Sequence, residues 1–269
     1  MSTPDYLSYL QIMDIPVWVR RNLPPQPLEM QPTELLISPE ITPKYHIVET
    51  TASVIIETAP ILQPSMPEMT ITAIPLTPLD LTGWENLRSQ VAACTACSLH
   101  LTRKQTVFGV GDKQADWLIV GEAPGADEDE QGEPFVGRAG KLLTSMLQAI
   151  GLSRDAVYIA NVLKCRPPDN RVPTPEERVS CTPFLQQQIA LLRPKLIFAV
   201  GSTAAQYLLN TDTAIGKLRG QRWFYQGVPL IATYHPAYLL RRPTEKRKAW
   251  QDLQLAQRIF NEASHVSQS

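Results

Sequence analysis

Four short apolar runs, each followed by a polar loop and a stretch of helical period, constrain this chain more than any other feature. They are Trp117–Gly121, Ala156–Val162, Leu196–Val200 and Val228–Thr233. Each is only long enough for a strand, and each is apolar at nearly every position, as a strand buried on both faces must be. The intervening segments read as helices near Arg138–Ile150, over Pro175–Leu192, from Ser202 through Leu209, and over Thr244–Ala263. Glu176 and Glu177 fall in the first turn of the second of these, where the helix dipole favours carboxylates. Strands alternating with helices of this length predict an α/β fold with a parallel sheet covered on both faces. Ligands of such sheets sit just beyond the carboxyl ends of the strands, so the chemistry is expected in the loops that follow them.

The first third of the chain has a different character. Between Pro24 and Pro78 there are 11 prolines and no glycine. Prolines at that density break helices and interrupt ladders, which predicts an extended, mostly disordered linker over residues 24–84. Residues 1–23 contain a short apolar element, with Tyr6, Leu7, Leu10 and Met13 at helical spacing and Ile15, Val17, Trp18 and Val19 beyond Pro16. An element of that size cannot bury itself, so it is expected to dock on the globular part or on another protein. Through Leu10-Gln11, Ile15, Trp18 and Arg20-Arg21 it resembles the N-terminal peptide of the psi subunit of a bacterial clamp-loader complex. That resemblance implies a chi-like subunit as partner. Residues 1–84 carry three basic and nine acidic side chains, whereas residues 85–269 carry 22 basic and 17 acidic. The basic C-terminal part is compatible with a polyanionic ligand. No run approaches the ~20 apolar residues of a membrane span, and the first 30 residues lack the apolar core of a signal peptide. A cytoplasmic protein is expected.

All four cysteines, Cys94, Cys97, Cys165 and Cys181, fall within one 88-residue window. Two disulfides would satisfy the count, but a reducing compartment favours metal or catalysis over crosslinks. Four thiolates suit zinc and an iron–sulfur cluster alike.

The strand-end loops supply further candidates. The first, residues 121–140, is rich in glycine and presents Phe135 between Pro134 and Val136, an aromatic face suited to stacking on a planar ring. It is no phosphate loop, because Gly140-Lys141 is followed by Leu142 and not by Ser or Thr, and its acidic residues would repel a triphosphate. Asn161 ends the second strand. Its amide offers a donor and an acceptor side by side, which matches a pyrimidine edge with one N–H and one carbonyl, and also matches a residue that merely holds a turn. Gly201-Ser202 opens a helix whose free N–H groups could bind a backbone phosphate. His235 follows the fourth strand beside a turn-forming proline.

The segments GEAPG…GEPFVGRAG, NVLKCRPPDNRVPTPEE…C and YHPAYLLR, in this order, closely resemble the family 4 uracil-DNA glycosylases, the iron–sulfur branch of the uracil-DNA glycosylase superfamily. The resemblance covers about residues 85–262. It implies a three-layer α/β/α domain over 85–264 around a four-stranded parallel sheet, with a 4Fe–4S cluster held by Cys94, Cys97, Cys165 and Cys181. It also implies a monomer of the bacterial cytoplasm that excises uracil from DNA by hydrolysis and leaves an abasic site. Phe135 and Ala123 would contact the base, Asn161 would read its edge, and His235 would stabilise the departing uracil anion. Related enzymes of family 1 carry a water-positioning aspartate where this chain has Glu122-Ala123, so either Glu122 or Glu128 substitutes or the enzyme relies on leaving-group stabilisation alone. Leu239 and Leu240 look like the intercalating wedge, with Arg241, Arg242 and Ser202 on phosphates. The basic insertion of the covalently crosslinking branch is absent after the second strand. A noncatalytic repair or replication adaptor remains the alternative reading.

Overall fold

The structure, a computed structural model, describes residues 81–266. The expected docking element at 5–21 and most of the proline-rich linker lie outside the described residues. A helix, α1, spans Leu81–Ala92, so ordered structure begins inside the segment expected to be linker. The reason is Trp84. Its side chain and that of Leu87 are fully buried, and Trp84 packs on Tyr158 at a centroid distance of 5.0 Å.

Six strands form one sheet: β1 Val110–Gly111, β2 Trp117–Gly121, β3 Tyr158–Asn161, β4 Leu196–Val200, β5 Trp223–Tyr225 and β6 Val228–Thr233. Their spatial order is β1-β3-β2-β4-β6-β5. The central four are parallel, as the alternation of strand and helix required. The expectation of a four-stranded sheet is corrected at both edges, where β1 and β5 pair antiparallel with β3 and β6. Two or three residues are too few to leave a periodic signature in sequence. The β5–β6 connection is a two-residue turn in which Gln226 and Gly227 both have positive φ, the geometry that matches strand twist.

Alternation along the strands assigns the two faces. Leu118, Val120, Ala160, Ile197, Ala199, Leu230 and Ala232 point to one side, where α1 and the helix α4 (Pro175–Leu192) cover them. Trp117, Ile119, Ile159, Phe198, Val200 and Ile231 point to the other side, against α3 (Arg138–Ala149) and α8 (Lys246–Val266). The short helices α2 (Ala126–Gln131), α5 (Ser202–Leu209), α6 (Ile215–Leu218) and α7 (Pro236–Arg241) complete the domain. The result is a three-layer α/β/α arrangement. Helix α4 starts where local chemistry dictates, with Thr174 as cap, Pro175 in the first turn and a reciprocal bond pair between Thr174 and Glu177.

Topology then places the site. From β2 the chain moves to β3 on one side, then crosses to β4 and β6 on the other. The order reverses at β2, and a crevice opens there beyond the carboxyl ends.

Candidate active site

That crevice is an open groove of about 700 Å³. It gathers loops from four strand ends: Glu122, Ala123, Glu128 and Phe135 after β2, Asn161 at the end of β3, Ser202 after β4, and His235 and Arg241 after β6. Residues up to 119 positions apart, Glu122 and Arg241, thus share one wall.

Phe135 and Asn161 both occupy the space left open because Gly121 has no side chain. A Cβ there would come within 2.6 Å of the Phe135 ring and closer still to the Asn161 amide oxygen. Phe135 itself has φ 55°, a strained backbone for a bulky residue, and such strain concentrates where a side chain must be aimed. Two neighbours hold it there. Gly140 allows α3 to pack directly on the Phe135 carbonyl, and the Arg154 guanidinium donates to the carbonyl of Pro134. The Phe135 ring lies nearly parallel to that of His235, with centroids 5.7 Å apart and 29° between planes.

Asn161 is 2% exposed, yet its Oδ1 has no hydrogen-bond partner among the described residues. A buried acceptor left unpaired costs free energy unless a ligand completes it. Its backbone, by contrast, is firmly held. Val162 N–H donates to the Gly121 carbonyl (2.9 Å), and Lys164 Nζ donates to the Asn161 carbonyl (2.8 Å).

His235 Nδ1 accepts from the Ala237 N–H at 3.1 Å, so in the neutral ring the proton sits on Nε2. Burial pushes its pKa down to about 4, with the Arg241 charge adding to the effect and Glu128 opposing it. The site therefore presents a neutral imidazole with one N–H to donate. Next to it, the Tyr234 ring is flanked by Tyr238 at 5.0 Å and by the Arg219 guanidinium at 5.6 Å. Arg219 is fixed in turn by Asp252, which also accepts from Thr233.

The two glutamates separate cleanly. Glu128 accepts from the N–H groups of Gly125 (3.1 Å), Val136 (2.9 Å) and Gly137 (3.1 Å). Its carboxylate ties the two ends of the Phe135 loop together. Glu122 also lines the groove, and among the described residues nothing hydrogen-bonds to its carboxylate.

The four cysteines line a second pocket that shares no lining residue with the groove. All four are free thiols. Among the described residues no three Cys, His, Asp or Glu side chains converge tightly enough for one metal ion. The sulfurs surround a common space without meeting at a point. Donors are already aimed at them: Arg103 NH1 lies 3.0 Å from Cys165 Sγ, and the Lys164 N–H lies 3.2 Å from Cys181 Sγ. Burial pushes the Cys181 thiol up to about 11, so a bare thiolate would be unfavourable there without a group to share its charge. These four thiols are the residues around this pocket that could hold a thiolate-bound metal group.

A family model described as the uracil DNA glycosylase superfamily matches residues 108–254. The chain belongs to that superfamily. Among curated relatives, a type-4 uracil-DNA glycosylase of Archaeoglobus fulgidus is 48% identical over 168 residues, covering 59% of this chain and 84% of that one. The type-4 enzymes of Thermotoga maritima and Pyrobaculum aerophilum are 47% and 44% identical, covering 61% and 63% of this chain and 87% and 90% of theirs. The resemblance to the type-4 branch therefore holds, and the chain is a uracil-DNA glycosylase enzyme.

For a glycosylase, the rim of the groove matters as much as its floor. Leu239, expected in a DNA wedge, is fully buried on α7, in the same core cluster as Phe135 and Leu143. Leu240, one residue on, is exposed. Arg241 lines the groove while Arg242 is exposed beside it. On the β3 side the rim carries Arg171 and the exposed Val172, which sequence reasoning missed. Nothing in a proline-rich loop signals that Arg171 will be pinned by Glu177 at 2.6 and 2.9 Å. Tyr234 was also overlooked, although its place before His235 at a strand end was a usable signal. No described helix is long and apolar enough to cross a membrane.

Proposed function

We propose that the groove receives a uracil nucleotide rotated out of DNA, and that the protein acts as a monomeric, monofunctional glycosylase that hydrolyses its N-glycosidic bond. The observation that carries this reading is the unpartnered buried Oδ1 of Asn161 beside Phe135. A base stacked on Phe135 would bring its N3–H to that oxygen, while the amide N–H groups meet O4. Cytosine offers an acceptor at N3 and a donor at C4, so both bonds are lost at a cost of about 1–3 kcal/mol. The loop braced by Glu128 bounds the space beside the base, where the methyl group of thymine must be refused. A base still stacked in a duplex cannot reach this depth, so extrusion must precede recognition.

Bond cleavage leaves positive character on the sugar and a negative charge on uracil. Neutral His235, with its proton fixed on Nε2, donates a hydrogen bond to the developing anion without losing the proton. Glu122, the unengaged carboxylate, orients the water that adds to C1′ and accepts its proton. Leu240 fills the gap left in the base stack, while Arg241, Arg242 and the N-terminus at Ser202 hold phosphates. Cys94, Cys97, Cys165 and Cys181 would hold a 4Fe–4S cluster, which supplies a crosslink between distant segments and no electron to the hydrolysis. The docking role of residues 5–21 toward a chi-like subunit rests on sequence alone.

Incubation of the protein with single- and double-stranded oligonucleotides containing one uracil tests the reading. Abasic product is expected from wild type, with excision by His235→Ala lower by about 10²-fold or more in single turnover. An unchanged rate in His235→Ala removes the leaving-group assignment. A brown protein with iron and sulfide in stoichiometric amounts is expected, and zinc alone would overturn the cluster.

A further inference from the structure

Lys164 lines the cysteine pocket beside Cys165 and is bonded to Asn161 of the groove, yet it belongs to neither set of expected functional residues. Its side chain is 1% exposed. Nζ donates to the Asn161 carbonyl at 2.8 Å and to Gln188 Oε1 at 2.6 Å, and no carboxylate pairs with it. Burying an ammonium group is costly unless its hydrogen bonds are replaced. A leucine or methionine would fill the same space without that cost, so packing alone does not explain a lysine here. The contacts of Gln188 show what the lysine is tied to. Gln188 is fully buried on α4, and its Nε2 donates to the Phe108 carbonyl (2.9 Å) and to the Tyr158 hydroxyl (3.3 Å). Helix, edge segment and strand β3 are thereby joined at one point, and the lysine extends that point to the residue whose amide faces the groove.

We infer that Lys164 is a positioning residue for base recognition: its ammonium clamps the carbonyl of Asn161 from inside the protein and sets where the Asn161 amide meets the base. The inference rests on Asn161 being the base reader. The lysine touches no substrate. It closes a ring from the end of β3 through Val162 and Leu163 back to Asn161, while the same three residues are held on their other side by bonds from Val162 to Gly121 and from Leu163 to Glu122. With the clamp, the loop has one position. Without it, the Asn161 carbonyl and the Gln188 oxygen lose a shared donor in a dry interior and must each find another.

The test uses the full-length protein with Lys164→Met, which keeps the length of the side chain and removes its donors. Three quantities are measured: affinity for free uracil, affinity for an oligonucleotide carrying an abasic site, and discrimination between uracil and cytosine. Lys164→Met should weaken uracil binding by about tenfold or more and narrow the discrimination, leaving abasic-DNA affinity within about twofold of wild type. Unchanged uracil affinity overturns the inference. So does a proportional fall in both affinities, which is the mark of a general loss of structure. Should that variant not fold, Gln188→Met removes one of the two acceptors of the ammonium and should weaken uracil binding by about threefold in the same selective way; an unselective or absent effect again overturns it. Wild-type protein that excises uracil while Lys164→Met keeps its uracil affinity indicts Lys164 alone. Wild-type protein without uracil affinity indicts the reading of Asn161 itself.

Discussion

Gly121→Ala changes one hydrogen to a methyl group and should nearly abolish activity while the protein stays folded. The new Cβ would stand 2.6 Å from two atoms of the Phe135 ring, whereas ordinary contact begins at 3.4 Å. Phe135, the Asn161 amide or both must therefore retreat by nearly 1 Å. Neither can do so freely, since Phe135 is wedged on Gly140 and Asn161 is held through its backbone. Overpacking of this kind costs about 1–3 kcal/mol of stability. A displacement of about 1 Å between recognition groups costs on the order of 10²-fold in rate. Single-turnover excision from a uracil oligonucleotide measures the second quantity and thermal melting the first. Gly216→Ala is the control, because its Cβ would meet nothing closer than the Tyr234 hydroxyl at 3.8 Å. Excision by Gly121→Ala within about threefold of wild type would refute the claim that these two side chains need the bare backbone of Gly121 beside them.

Two further outcomes follow from the same geometry. The pKa of His235 lies at about 4 in place of 6.5, so the ring is neutral from about pH 5 upward and its Nε2–H is present throughout. Excision should show no inflection between about pH 6 and 8, and a decline centred near 6.5 would mean that the imidazolium is the active form. The depressed value also sets a stability window. Between the folded value and 6.5 the unfolded chain binds the extra proton, so this residue lowers stability as pH falls from about 6.5 to 4, readable as a falling denaturation midpoint. Asp252→Asn should loosen the Tyr234 ring next to His235 by weakening the hold on Arg219, which is only 14% exposed. A loss of about 3 kcal/mol in chemical denaturation is expected, and a loss below about 1 kcal/mol would show that Arg219 finds a substitute partner.

How far the site was legible depended on how far each residue acts through its own neighbours in sequence. The strand ends at Gly121, Asn161 and His235 could be read because an apolar run that stops at a polar residue marks where a buried strand surfaces. The wedge could not. Leu239 and Leu240 are adjacent on α7, where successive residues point about 100° apart, and a dipeptide does not say which of the two faces the core. Glu122 and Glu128 are equally acidic in sequence. Only the three backbone N–H groups converging on Glu128, two of them from residues eight and nine positions away, distinguish the brace from the free carboxylate.

The sequence by itself determined the order of strands and helices, the parallel core of the sheet, the loops that carry the chemistry, and the family. These follow from periodicity and from motifs, which are local and survive in a linear string. Tertiary structure alone decided that the sheet has two antiparallel edges, that α1 begins before residue 85, that Leu239 is core, and that Lys164 reaches Asn161. The burial of Trp84 against Tyr158, the place of Leu239 in the core and the anchoring of Lys164 by Gln188 all depend on groups far apart in sequence. A hydrogen bond such as that from Gln188 to the Phe108 carbonyl, 80 residues apart, leaves no trace in the composition of either segment.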